Sequence, residues 1–105
     1  MVHEITGSEI EDVLKSHRNV ILNFGADWCI DCRRAAPFYA KFSDIFKDVY
    51  FTHTNVDTDD TLRPRFAVAH IPTMIFYRQG QEIGRIVEVQ TPGELKKFIE
   101  LGLQG

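Results

Sequence analysis

Apolar and polar positions along the chain follow two rhythms. Val20, Ile21, Leu22 and Phe24 form a nearly unbroken apolar run interrupted by Asn23, which predicts a strand buried on both faces. Beyond residue 29 the rhythm changes. Ala35, Phe38, Phe42, Ile45 and Phe46 recur at three- and four-residue steps, the spacing of a helix with these side chains inward. Pro37 lies inside that helix, removes a backbone hydrogen bond and predicts a kink. Lys47 and Asp48 close it.

The same reading covers the rest of the chain. Residues 2–5 predict a short first strand. Thr6 and Glu9 have capping-box spacing, Ile5 and Ile10 hold the positions of a hydrophobic staple, and Ile10, Val13 and Leu14 give the helix that follows an apolar face. Residues 25–27 turn into the next segment. Residues 49–56 predict a third strand, 57–60 a polar turn, and a short helix with Pro64 ends near Phe66. Residues 73–77 and 82–89 predict two strands joined by a turn at Gln79 and Gly80. Thr91, Pro92 and Glu94 open a last helix with Leu95, Phe98 and Ile99 inward. The order is β-α-β-α-β-α-β-β-α. Its early alternation implies parallel strands joined by crossovers, with the last hairpin adding an antiparallel edge. An α/β fold follows, with a mixed sheet of about five strands flanked by about four helices.

Composition narrows the function. The 105 residues are 44% hydrophobic and include eight Phe, enough for one core, so residues 1–105 are expected to form one domain. A net charge of −3 with no basic block speaks against nucleic acid as a partner. No apolar run approaches the roughly 20 residues of a membrane span, and the first residues lack the pattern of a signal peptide. The expected location is the cytoplasm, where thiols are reduced at rest.

Only two cysteines occur, Cys29 and Cys32. They fall where the apolar strand feeds a helix. A helix N-terminus presents unpaired N–H groups and the positive end of the macrodipole, so it favours a thiolate. Cys29 comes first and is the expected nucleophile. Cys32 lies three residues on, on the same face, close enough for a disulfide. It is the expected resolving thiol, which attacks the mixed disulfide and releases the product. The other readings of the pair are half a zinc site or two unrelated core cysteines. Zinc takes about four ligands, there is no second C-x-x-C, and His3, His17, His53 and His70 are scattered. No metal is expected.

Phe24 to Cys29, with Cys32, Pro37, Asn55-Val56-Asp57 and Ile71-Pro72-Thr73, match in order and spacing a known set of motifs. Through them nearly the whole chain resembles the thioredoxin family. The resemblance implies the thioredoxin fold and a protein thiol–disulfide oxidoreductase. It implies that Pro72 is cis and faces the cysteines, that the Ile71 backbone pairs with an extended substrate, and that Trp28 and Ile30 belong to the substrate-binding edge. The alternatives are an ordinary strand-entry proline and a core tryptophan. The expected partners are protein disulfides and a reductase such as thioredoxin reductase. No cofactor is expected beyond the redox-active disulfide, and the protein is expected to be a monomer.

Four departures from the family pattern bear on mechanism. Ile30 and Asp31 replace the usual Gly-Pro. Asp31 puts negative charge beside a developing thiolate, which raises a thiol's pKa, or it simply favours the first turn of the helix. Asn23 stands where the family buries an aspartate that takes the proton of the second cysteine, and an amide is no base at neutral pH. His53 replaces the accompanying lysine. Either His53 or Asp31 then takes that proton, or water does and His53 is structural. Glu88 and His70 stand at groove positions often held by glycine, which bears on docking by a standard reductase. Arg33 and Arg34 either favour acidic partners or form a solvated helix face. The other functional readings are a specialised disulfide carrier or isomerase, and a redox-inactive binding module.

Overall fold

The computed structural model describes residues 1–104. Five strands form one sheet: β1 (His3–Glu4), β2 (Asn19–Gly25), β3 (Tyr50–Asn55), β4 (Thr73–Arg78) and β5 (Gln81–Val87). Their spatial order is β1-β3-β2-β4-β5. β1 and β2 run parallel to β3, while β4 is antiparallel to both β2 and β5. Four α-helices accompany them: α1 (Ile10–Ser16), α2 (Ile30–Ile45), α3 (Leu62–Phe66) and α4 (Pro92–Gln104). No helix among the described residues is long and apolar enough to cross a membrane.

The apolar run of β2 is the centre of this sheet, and its alternation divides the core in two. Val20, Leu22 and Phe24 pack with Ile10 of α1 and Leu62 of α3. Ile21 points the other way, to Ala35, Tyr39 and Phe42 of α2 and to Leu95 and Ile99 of α4. A strand covered on both faces needs apolar residues at successive positions. Asn23 interrupts the run on the α2 side and is nevertheless only 7% exposed.

Local chemistry sets the element ends. Glu9 accepts the Thr6 N–H at 2.9 Å, and the staple residues Ile5 and Ile10 are both buried. The first turn after Thr6 is nonetheless a 3₁₀ turn over Gly7–Glu9. Thr91 Oγ1 accepts the Glu94 N–H at 3.2 Å and caps α4. Gln79 and Gly80 both have positive φ, 50° and 81°, the backbone of a tight hairpin turn matched to strand twist.

Three expectations need correction. Ile45 is 57% exposed rather than inward, and Tyr39, one turn after Ala35, holds the inward position with 2% exposure. Its hydroxyl can be buried because it donates to the Thr52 carbonyl at 2.6 Å. Helix α2 ends at Ile45, before Lys47. The third strand stops at Asn55, whose side chain accepts the Asp57 N–H at 2.9 Å and turns Val56–Thr58 into a 3₁₀ turn.

Candidate active site

Cys29 is the N-cap of α2. Its sulfur accepts the Cys32 N–H at 3.2 Å, one of the donors a helix start leaves unpaired. Its thiol points at the Ile71 carbonyl, 3.7 Å away. Ile71–Pro72 is cis. The segment between α3 and β4 is thus brought against the start of α2. Both cysteines are free thiols.

The surface beside Cys29 is apolar and open. Trp28 is 62% and Ile30 71% exposed, so the indole is not in the core. Asp57 accepts the indole N–H at 2.8 Å and fixes the ring's orientation. On the far side of Pro72, Glu88 N–H donates to the Pro72 carbonyl at 2.7 Å. Glu88 has φ 53°, a left-handed conformation that costs an L-residue roughly 1–2 kcal/mol. The backbone there keeps a shape suited to glycine although the side chain is glutamate. Its carboxylate lies 3.6 Å from His70. Arg34 donates to Asp31 at 3.1 Å and to Gln90 at 2.8 Å, so this arginine ties the start of α2 to the segment after β5. Its Nη1 makes both bonds, and the side chain stays half exposed.

The second thiol is held protonated. Burial, and then the hydrogen bond with Cys29, push the Cys32 thiol from the ordinary 9.0 up to about 12. The negative charge of Asp31 adds to this as the last of the contributions. Cys32 is therefore a thiol at neutral pH. It lines a cavity of about 380 Å³ together with Asn23, His53, Glu4, Asp27 and Tyr39. A larger depression of about 620 Å³ lies between the end of α1 and the β4–β5 turn and contains no cysteine. The sulfur chemistry belongs to the smaller one.

The raised Cys32 thiol has a consequence for stability. Above pH 9.0 the unfolded reduced chain releases this proton while the folded chain keeps it until about 12. Stability from this group is complete below pH 9.0 and is lost as pH rises toward the folded value. In the disulfide form the proton is gone. The melting temperature of the reduced protein should fall more steeply above pH 9 than that of the oxidised protein. Buried Tyr39, also raised by burial, contributes equally to both. Parallel curves would sink the assignment.

The sequence-predicted residues fall into two groups. Trp28, Cys29, Ile30, Ile71 and Pro72 gather at one edge. Asn23, His53 and Cys32 gather around the cavity behind it. Asp31 does not line that cavity, and its carboxylate accepts from Arg34 at 3.1 Å. Sequence reasoning missed Glu4, whose carboxylate meets His53 Nδ1 at 2.8 Å, and the bond by which Asp57, named there only as part of a motif, holds Trp28. Both contacts span long stretches of chain, and no local pattern announces them.

The thioredoxin family model matches residues 1–101. The chain belongs to the thioredoxin family. Thioredoxin-2 of Saccharomyces cerevisiae is 33% identical over 95 residues, covering 90% of this chain and 90% of the relative. Thioredoxin-2 of Pyricularia oryzae is 32% identical over 87% of this chain, which spans only 54% of that longer relative. Among solved structures, the thioredoxin of Plasmodium falciparum superposes with a TM-score of 0.87 at 25% identity, covering 93% of this chain and 96% of the other. Mitochondrial thioredoxin 3 of S. cerevisiae gives 0.85 at 26%, covering 94% and 93%. The thioredoxin fold is thus present, and the protein is a thiol–disulfide oxidoreductase of this family. Thioredoxins act on protein disulfides and are returned to the dithiol by a reductase.

Proposed function

We propose that this protein reduces protein disulfides, with Cys29 as nucleophile and Cys32 as resolving thiol. The observation that carries the reading is the asymmetry at the start of α2. Cys29 takes a helix-terminal N–H onto its sulfur, while Cys32 is held protonated. Cys29 Sγ attacks one substrate sulfur and the other leaves. Cys32 then attacks Cys29 Sγ, the substrate's second sulfur departs, and the Cys29–Cys32 disulfide forms. Two electrons pass to the substrate, and the two thiol protons end on its sulfurs. Trp28, Ile30, Ile71 and Pro72 form the docking edge. The two sulfurs carry the electrons, so no bound cofactor or metal is required. The reading places the protein as a monomer in the cytoplasm, with a reductase such as thioredoxin reductase restoring the dithiol, and with neither membrane nor nucleic acid as partner.

Titrating the pair against glutathione and dithiothreitol buffers tests the direction of flow. The expected potential lies near about −270 mV, the established thioredoxin value. A value between roughly −180 and −120 mV, where isomerases and oxidants sit, would overturn net reduction and favour disulfide isomerisation or delivery. Failure to form a disulfide would remove the dithiol cycle and leave a binding module.

A further inference from the structure

Asn23 and His53 are register partners on β2 and β3, and His53 is in turn the partner of Glu4 on β1. Three residues thus form one row across the sheet beneath Cys32. The row has a direction. His53 Nδ1 lies 2.8 and 3.0 Å from the two oxygens of Glu4. An ionised carboxylate can only accept, so Nδ1 carries a proton, and in the neutral form of the ring Nε2 is the nitrogen with a free lone pair. Gly25 shows where that lone pair sits. A Cβ placed there would stand 3.0 Å from His53 Nε2 and 3.1 Å from Cys32 Sγ. The imidazole and the thiol thus border the same small space, which Gly25 leaves open by having no side chain. Asn23, which is 7% exposed, has its Oδ1 buried without a hydrogen-bond partner among the described residues and lines the same cavity. A polar space of this size admits a water bridging such groups.

We infer that Glu4, His53 and Cys32 form a carboxylate–imidazole–thiol relay. In it His53 Nε2 takes the Cys32 proton through one bridging water, and Glu4 acts as the positioning residue. The relay rests on the proposed cycle in which Cys29 attacks and Cys32 resolves. It answers a need of that cycle, because Cys32 cannot attack while it keeps its proton, and neighbouring Asn23 is an amide. The Cys32 S–H bond breaks and the proton moves to Nε2. The thiolate forms the bond to Cys29 Sγ, and the bond from Cys29 Sγ to the substrate sulfur breaks. The imidazolium, stabilised by Glu4, returns its proton to solvent or to the departing thiolate. The arrangement has the logic of a nucleophile activated by a base that a third group orients.

His53 is not alone in the cavity. Glu4 faces it from β1, Cys32, Arg33 and Tyr39 from α2, and Asp27 from the turn between β2 and α2. The test must therefore separate His53 from a general charge effect.

Stopped-flow reaction of the reduced full chain with dithiobis(nitrobenzoate) does so. Attack by Cys29 releases a first thionitrobenzoate, and attack by Cys32 releases a second. The second phase should rise with pH, and the relay should set its rate. His53→Gln should slow that phase about tenfold or more at neutral pH and move its rise to alkaline pH, with the first phase unchanged. Glu4→Gln, at an exposed position, keeps an acceptor for Nδ1 but removes the charge. It should slow the second phase several-fold, and it preserves the test should His53→Gln not fold. A second phase whose rate and pH profile survive both substitutions would overturn the relay and assign the proton to water. Equal slowing of both phases would overturn it in favour of a structural role. Absence of a second release from the unsubstituted protein would instead overturn the dithiol cycle itself.

Discussion

Replacing Cys32 with serine is expected to stop turnover and leave the protein covalently joined to its substrate. Position 32 contributes two separate things. Its backbone N–H donates to Cys29 Sγ at 3.2 Å, and any residue in the first turn of α2 supplies that. Its thiol supplies the second attack, which a serine hydroxyl does not. Cys29 should therefore still open a substrate disulfide, and the resulting mixed disulfide should persist until an outside thiol cleaves it. Cys29→Ser should form no adduct. Both variants should lose up to about 10⁶-fold in steady-state disulfide reduction, as when a nucleophile is removed. Mass spectrometry after incubation with a disulfide-containing protein separates them. Exposure alone argues for the opposite roles, because Cys29 is only 6% exposed while Cys32 is half-buried. We give the proton more weight. A thiol pushed up to about 12 is almost wholly unionised near neutrality, and the thiolate is the attacking species. Adducts that accumulate on Cys29→Ser and not on Cys32→Ser would reverse the assignment.

What could be read from the chain depended on how local the cause was. The β2 run was legible because a strand covered on both faces has no polar face to confuse its period. The β4–β5 turn was legible because Gln79-Gly80 meets a local backbone requirement, and the start of α4 because Thr91 and Glu94 satisfy each other within one turn. The place of Cys29 at a helix N-terminus followed from the change of rhythm around it. The Glu4–His53 pair was not legible. It depends on the register of a strand only two residues long, His3–Glu4, and register is a tertiary property. The inward face of α2 was read one position off at Ile45 and missed at Tyr39. A tyrosine counts as half polar until its partner, the Thr52 carbonyl, is in view. Glu88 is a middle case. The resemblance marked its place as one for glycine, and the backbone keeps that conformation, but what the carboxylate meets there required the fold.

Phe76→Ala is expected to cause the largest loss of stability of any single substitution argued from this structure. Phe76 sits in β4 between Ile21 of β2 and Gly84 of β5 and is fully buried. Its ring meets Phe98 of α4 edge-on, with centroids 6.3 Å apart and planes at 76°. Gly102 lies on the same ring: a Cβ there would come within 2.5 Å of it. Helix α4 is therefore seated directly on this side chain, through a residue that has no side chain of its own to fill the gap. The surrounding β2, β5 and α4 are each held by other contacts, so they cannot close over the hole. Phe-to-Ala changes in such cores cost about 3–5 kcal/mol. For a chain of this size that lowers the melting temperature by about 15–30 °C, out of a total stability of roughly 5–15 kcal/mol. Urea unfolding should show a lower midpoint with an unchanged slope, since the folded surface is nearly the same. Disulfide reduction at low temperature should survive, because Cys29, Cys32 and the Ile71–Pro72 edge lie at the start of α2 and make none of these contacts. A melting temperature lowered by less than about 5 °C would mean that α4 resettles onto β4 and that the ring is not its seat. Activity lost in the cold, with the fold intact, would mean that this half of the core reaches the dithiol through α2.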